Sequence, residues 1–274
     1  MPASAFGLAL AAAFIHALWN VLLARRKDTQ AATAVALVVA VVVFAPVTAA
    51  TWDARAGVWP FVVVSSCLQL LYFVLLAAAY RRVSLSVVYP LARGAAPVLV
   101  LLIGVVALGK SSSWGQASGV VLVGAGILLV RGLQRDSEVG AVTFGLAIAA
   151  TIAGYTLIDK HGITHASPIS YLELTILMPA IVYASAIAKL KGLDALRAEL
   201  QPSTFVAGVA TFGAYALVLA ALARASAASV AAVRETSVVI AALLAAAVLK
   251  ERVSPARLLG AGCVAAGVAL LSLT

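Results

Sequence analysis

Arg93 stands one helical turn after Tyr89 in the apolar run SVVYPLARGAAPVLVLL, and Arg234 stands beside Glu235 in SVAAVRETSVV. Residues four apart share a helix face, so Tyr89 and Arg93 point the same way. A guanidinium is a planar fork of donors that matches a carboxylate or a phosphonate. Arg93 or Arg234 is therefore a candidate grip for an anionic group of a solute. The competing reading is a buried Arg93–Glu235 pair that fixes helix packing. Removing one partner of such a pair is costly under either reading. Glu235 and Glu173 are the carboxylates that could take up and release a coupling proton. Glu173 follows Pro168 by five residues and also reads as an acid favoured near a helix start.

His16, Trp19 and Asn20 recur at i, i+3, i+4, and Gln69, Tyr72 and Phe73 repeat that spacing. Tyr155 and Tyr215 add further polar-tipped rings. Such stripes suit a cavity wall that stacks on a small solute and hydrogen-bonds to it, or else hydrogen bonds between helices in lipid. Asp159 and Lys160 read as interfacial groups at a helix end. His16 has no second ligand at helical spacing, and His161 with His165 lacks a third, so no metal site is expected. The sequence contains no GxSxG, HExxH, CxxC or Walker loop, hence neither an enzyme nor a cofactor is expected.

The elements that carry these groups are apolar spans. They are read at 4–24, 30–50, 58–79, 85–108, 114–130, 140–158, 168–188, 203–223, 229–249 and 255–273. About 20 residues cross the ~30 Å hydrocarbon layer. The chain is 64% hydrophobic and 11% charged, well outside the soluble range of about 25% charged, so lipid must be its solvent. The net charge of +9 lies in short clusters between spans. That argues for topology determinants and against a nucleic-acid partner. Cys67 and Cys263 fall inside apolar runs and read as free, buried thiols. The connection KLKGLDALRAELQP, with Leu193, Leu196 and Leu200 on one face, suits a short helix lying on the membrane surface.

The chain also repeats itself. FGLALAA at 6–12 returns as FGLAIAA at 144–150, and the Gly119/Gly124 pair returns as Gly262/Gly267. Division at 1–137 and 138–274 gives two halves of five spans each. An odd number of spans inverts the second half relative to the first. Loops after odd-numbered spans hold Arg25, Arg26, Lys27, Arg81, Arg82, Arg131, Arg135, Lys189, Lys191, Arg197, Lys250, Arg252 and Arg257. Loops after even-numbered spans hold Arg55, Lys110, Lys160 and Arg224. The excess of positive charge places the odd loops in the cytoplasm and both termini outside. Small residues let helices approach closely, so the glycines of the fifth and tenth spans read as packing or homodimer contacts. Pro90, beside Tyr89, is the hinge candidate.

Two inverted five-span halves, each opening on a Gly- and Ala-rich helix, resemble the EamA-type members of the drug/metabolite transporter superfamily. The resemblance covers essentially the whole chain. LKERVSPARLLGAGCVAAGVALLSL at 249–273 is similar to that family's repeat ending, with Glu251 at its glutamate position. FIHALWNVLLARRKD at 14–28 is similar to openings found there. Gly109-Lys110 departs from the Gly-Glu often seen at the first-half position. The resemblance implies an all-α integral membrane protein of ten helices with a central cavity, in a cell membrane, the bacterial inner membrane. It does not imply one substrate. With the residues above, the expected function is export of a small zwitterionic or anionic, amino-acid-like metabolite by alternating access. A cationic drug exporter and a membrane assembly protein are the alternatives. The remaining partners are the small-molecule substrate and the lipid bilayer.

Overall fold

A computed structural model describes residues 1–82, 85–109, 111–131, 139–240 and 255–273. Among them the architecture is all-α, with no strand beyond an isolated bridge between Ala54 and Ala166. In chain order the helices are α1 (Ala3–Ala24), α2 (Thr29–Ala50), α3 (Trp59–Arg82), α4 (Leu85–Val106), α5 (Trp114–Arg131) and α6 (Val139–Gly162). They continue with α7 (Pro168–Lys191), α8 (Leu193–Ala198), α9 (Pro202–Leu222), α10 (Ala227–Arg234) and α11 (Pro255–Leu273). Among the described residues six stretches are long and apolar enough to cross a bilayer, and three shorter apolar stretches lie in α4, α5 and α11. With the backbone of each span bonded within its own helix, the chain meets the main demand of a lipid solvent. This is a multi-pass membrane protein. The ninth expected span is helical to Arg234 and again over 236–240; its remainder, with Glu251, lies outside the described residues, as does Lys110.

Local chemistry sets the helix ends. Asp28 caps α2 by accepting from the amides of Gln30 (3.2 Å) and Ala31 (3.1 Å), which satisfies orphan donors of the first turn. Ser167 caps α7, and Pro168 follows at a position where its missing N–H costs nothing. Gly192, at φ +84°, ends α7 in a left-handed conformation that glycine adopts without steric cost. It delivers the chain into α8, whose Leu193 is exposed and whose Leu196 packs against the core.

Eight helices form a ring. α1 packs on α9, α9 on α2, α2 on α7, α7 on α3, α3 on α6, α6 on α4, α4 on α10, and α10 back on α1. Helices from before and after residue 138 alternate all the way round. Exchanging α1 with α6, α2 with α7, α3 with α9 and α4 with α10 returns the same set of neighbours.

Outside the ring, α5 packs along α11. A Cβ on Gly119 would sit 2.9 Å from the Gly267 carbonyl oxygen, and one on Gly126 would sit 2.7 Å from that of Gly260. Gly124 meets Gly94 of α4 in the same way, at 2.8 Å. These glycine edges are thus occupied by contacts within one chain, whereas Gly262 faces open space.

Candidate functional site

The charged centre is built where α4, α10 and α1 meet. Arg93 lies eight residues into α4 and Arg234 seven residues into α10, so each sits about 10–12 Å along its helix axis. All three members of the cluster are buried: Arg93 is 5% exposed, Arg234 3% and Glu235 0%. Arg93 donates from Nη1 to both Glu235 oxygens at 3.3 Å. Arg234 donates to Glu235 Oε1 from Nε (3.3 Å) and Nη2 (3.1 Å). One carboxylate therefore serves two guanidiniums.

The helix stops at Arg234 and turns at Glu235 before resuming, which lets two adjacent residues converge on one point. The run of Ala227, Ala228, Ala231 and Ala232, all buried, makes room for the close approach of α10 to its neighbours.

Arg93 Nη2 lies 3.0 Å from His16 Nε2. A guanidinium has only donors, so His16 Nε2 must accept, and the imidazole is neutral with its proton on Nδ1. The His16 ring meets Trp19 edge-on at 4.8 Å.

These groups face a cavity of about 350 Å³. His16, Trp19, Asn20, Tyr72, Tyr155, Arg93 and Arg234 all line it. Asn20 donates to the His16 carbonyl at 2.8 Å, whereas the indole Nε1 of Trp19 is buried without a hydrogen-bond partner among the described residues. No Asp or Glu lines the cavity among the described residues. Glu235 sits behind the two arginines, off the wall. Glu173 is buried in α7, also off the wall, and its Oε2 has no hydrogen-bond partner among the described residues. It lies beyond the first turn of its helix, so the helix-start reading does not hold. The side chains of Tyr89 and Pro90 lie outside the described residues.

Gln69 and Tyr215, which the sequence leaves undecided between cavity and packing, both line the cavity, as do Thr29, Thr33 and Thr211, which sequence reasoning missed. Threonines in apolar runs carry little signal, because they satisfy themselves on their own helix. Thr33 and Thr211 do so here, on the carbonyls of Thr29 and Ala207 at 2.7 Å.

Asp159 requires a correction. It is not interfacial but fully buried. Its Oδ1 accepts from Ser65 Oγ (2.5 Å) and Tyr171 Oη (2.9 Å), and its Oδ2 accepts from Tyr215 Oη (2.5 Å). Gln69 Nε2 donates to Ser65 Oγ at 3.0 Å. A carboxylate one turn from a helix end stays buried when three hydroxyls replace its water. The signal was present in the sequence: Asp159 follows Tyr155 by one turn, and Ser65 precedes Gln69 by one turn. Lys160 is also turned inward, donating to the carbonyls of Leu222 and, at 3.0 Å, Ala225, which closes the C-terminal end of α9.

The cavity reaches toward the α1–α2 turn, where Asn20, Leu23, Thr29 and Thr33 line it; at the other end the lining stops at Gln69, Leu172 and Tyr215. Beyond that stop lie the Asp159 cluster and a tie between two loops. Arg55 N donates to the His165 carbonyl and Ser167 N to that of Asp53, both at 2.9 Å.

Comparison with known proteins follows this geometry. A sequence profile described as the EamA-like transporter family matches residues 3–132 and again 139–273. The chain is 25% identical over 217 residues to the "Uncharacterized transporter YwfM" of Bacillus subtilis (strain 168), covering 78% of this chain and 73% of that one. A solved crystal structure of 15% identity superposes with a TM-score of 0.77, covering 98% of this chain and 95% of that one. The chain belongs to the EamA-like transporter family.

Proposed function

We propose that this member of the EamA-like transporter family is a secondary transporter that exports a small anionic or zwitterionic, amino-acid-like metabolite across the bacterial inner membrane. One observation carries the reading. Arg93 and Arg234 both face the cavity while the single carboxylate between them is withdrawn from its wall. Two cations against one anion leave a positive surplus at the wall, and a solute carboxylate or phosphonate is the natural group to balance it. The unpartnered Trp19 N–H supplies one further donor, and Tyr72, Phe73 and Tyr155 supply aromatic faces for the rest of a small solute. The cavity has the size and the largely apolar wall of a small-molecule site. A cationic drug would need an acid on the wall, and none of the described lining residues is one.

Ten spans in two inverted repeats, divided near residue 138, are the architecture behind this reading. It is supported by the double family match and by the ring order, which is unchanged when the halves are exchanged. In such folds the site lies where the repeats meet. Because the halves alternate around the ring, neither is a separate body. Alternating access would instead part the set α1, α9 and α10 from its symmetry mate α6, α3 and α4. The excess of Lys and Arg in the odd loops supports cytoplasmic odd loops and external termini. Glu235, shared by two guanidiniums, acts in this scheme as a fixed counter-ion and not as the coupling acid named from sequence.

The test is a thermal-shift screen of the detergent-purified protein against amino acids, organic anions, phosphonates and lipophilic cations, repeated on Arg93→Lys. Specific binding raises apparent stability by mass action. Stabilisation by one anion or zwitterion, lost in the variant, is expected. Stabilisation by lipophilic cations alone would overturn the arginine-gripped anion.

A further inference from the structure

The mechanism above leaves buried carboxylates unused, and the surroundings of one of them, Asp159, are built as a proton site. We propose that Asp159 is the coupling-ion site of this transporter: it carries one proton, exchanged with the cavity through the Tyr215 hydroxyl. The purpose assigned to that proton rests on the transport reading; the site itself rests on three observations.

First, Asp159 is closed to lipid and to bulk water, yet one side chain links it to the cavity. Tyr215 Oη donates to Asp159 Oδ2, and Tyr215 lines the cavity wall. Tyr155, also on the wall, meets the Tyr215 ring edge-on at 6.1 Å. A proton arriving from the cavity binds the Tyr215 oxygen as that hydroxyl passes its own proton to Asp159 Oδ2. One proton enters, one carboxylate becomes a carboxylic acid, and Tyr215 ends neutral. Asp159 Oδ2 then donates to the Tyr215 oxygen, so the Tyr215 O–H is released to point at the solute. Protonation thus reverses one hydrogen bond and changes what the cavity wall offers.

Second, the donor set is matched to a carboxylate that can lose its charge. Its three partners, Ser65, Tyr171 and Tyr215, are neutral hydroxyls on α3, α7 and α9, and each is able to turn from donor to acceptor. Glu235 is held by two guanidiniums, which have only donors and cannot turn to accept. On α6 itself, Lys160 is engaged by the carbonyls of Leu222 and Ala225. Across the ring, α4 contributes Arg93 and α10 contributes Arg234 and Glu235; Arg234 is near enough to act on Asp159 electrostatically.

Third, the charge balance links the proton to the solute. The wall formed by Arg93, Arg234 and Glu235 carries a surplus of one positive charge, and an ionised Asp159 adds a negative charge beyond Tyr215. Protonating Asp159 removes that charge, which favours an anionic solute. The same cluster ties α3 to α6, α7 and α9 at the end where the cavity stops. Weakening it by one proton therefore acts where the ring must open.

The experiment needs no substrate. Infrared difference spectra of the purified full chain in nanodiscs, recorded from acid to alkaline pH, report protonated carboxyl C=O groups. Among the bands that the wild type loses as pH rises, one should belong to Asp159. That band should be missing from Asp159→Asn, shifted in frequency and midpoint in Tyr215→Phe, and unchanged in Glu173→Gln. Tyr215→Phe keeps the test decisive if Asp159→Asn fails to fold. Loss of no band in Asp159→Asn, or loss of that same band in Glu173→Gln, overturns the proposal, and so does the absence of any titrating band in the wild type. None of these outcomes touches the anion-grip reading, which stands or falls on the ligand screen.

Discussion

Replacing Glu235 by Gln tests the reasoning behind the site most directly. Glu235 lies 3.3 Å from Arg93 and 3.1 Å from Arg234, with all three side chains almost wholly withdrawn from solvent. At an effective dielectric near 20, each such contact carries about 5 kcal/mol of Coulomb attraction. Much of that is spent in desolvating the charges. The expected net loss is therefore about 3–5 kcal/mol, the cost of leaving a buried charge without its partner. Gln keeps one carbonyl acceptor, but its amide N–H₂ would face a guanidinium donor to donor. Two cations then share a cavity wall with no anion between them.

This makes a second, opposite expectation. A small carboxylate added from outside can take the vacated role, so it should stabilise Glu235→Gln more than it stabilises the wild type. The assay is thermal unfolding in detergent, with acetate against chloride at constant ionic strength. The empty variant should unfold at clearly lower temperature, and acetate should recover part of the loss. A variant as stable as the wild type would refute the shared-anion geometry. A destabilised variant with no gain from acetate would refute the claim that the arginines present their charge to the cavity.

Three further outcomes follow from particular contacts. Gly162→Ala would place a Cβ 2.2 Å from the ring of the fully buried Tyr171; overpacking of this kind costs about 1–3 kcal/mol, and a thermal-unfolding cycle with Tyr171→Ala should show strong non-additivity. Gly126→Val drives a side chain into the Gly260 backbone and should lower stability while leaving ligand affinity unchanged, because α5 and α11 stand outside the ring. Asp28→Ala removes the α2 cap and should cost about 1 kcal/mol. Partial burial alone would raise the Asp28 carboxyl, but hydrogen bonds from Lys191 and from the Ala31 and Gln30 amides outweigh it and hold it below the usual range. A depressed carboxyl adds stability above its ordinary value and loses it in acid, so the gap between wild type and Asp28→Ala should close as pH falls below about 4.

The six long apolar spans were legible because lipid imposes one rule on every residue of a helix: about twenty apolar positions in a row need a lipid solvent in a chain this poor in charge. The stripe His16, Trp19, Asn20 was legible for the same reason, since polar groups at helical spacing in an apolar run need a common partner. The pairing of Arg93 with Glu235 was one of two readings the sequence offered, but the sharing of Glu235 with Arg234 was not among them. It depends on a break in the helix at Glu235 that no Gly or Pro announces. Asp159 was misplaced because its distance from the helix end was read as depth in the membrane. Depth alone does not decide burial. Three hydroxyls from three other helices do, and Ser65, Tyr171 and Tyr215 are 94, 12 and 56 residues away in the chain.

The ties at the two ends of the ring differ in kind. At the α1–α2 end, the links between distant segments are ion pairs at the rim: Arg26 with Glu199 at 2.6 Å and Lys191 with Asp28 at 2.7 Å. Glu199 is buried in the first pair, whereas the second is about a third exposed on both sides; the cavity lining is continuous up to Asn20 and Thr29. At the opposite end, the links are backbone hydrogen bonds between two loops and a buried carboxylate with three hydroxyl donors. Loss of one partner there strands a polar group away from water, at about 1–3 kcal/mol. In the proposed scheme the closed end is the one whose bonds would respond to a single proton, and the end where the cavity continues is held by ion pairs near the rim. In the proposed scheme a solute entering past Asn20 would meet Arg93 and Arg234 before Tyr215. An anionic group would then be neutralised at the arginines before the solute bears on the hydroxyl bonded to Asp159. A coupled carrier requires that order, with recognition preceding release of the closed end.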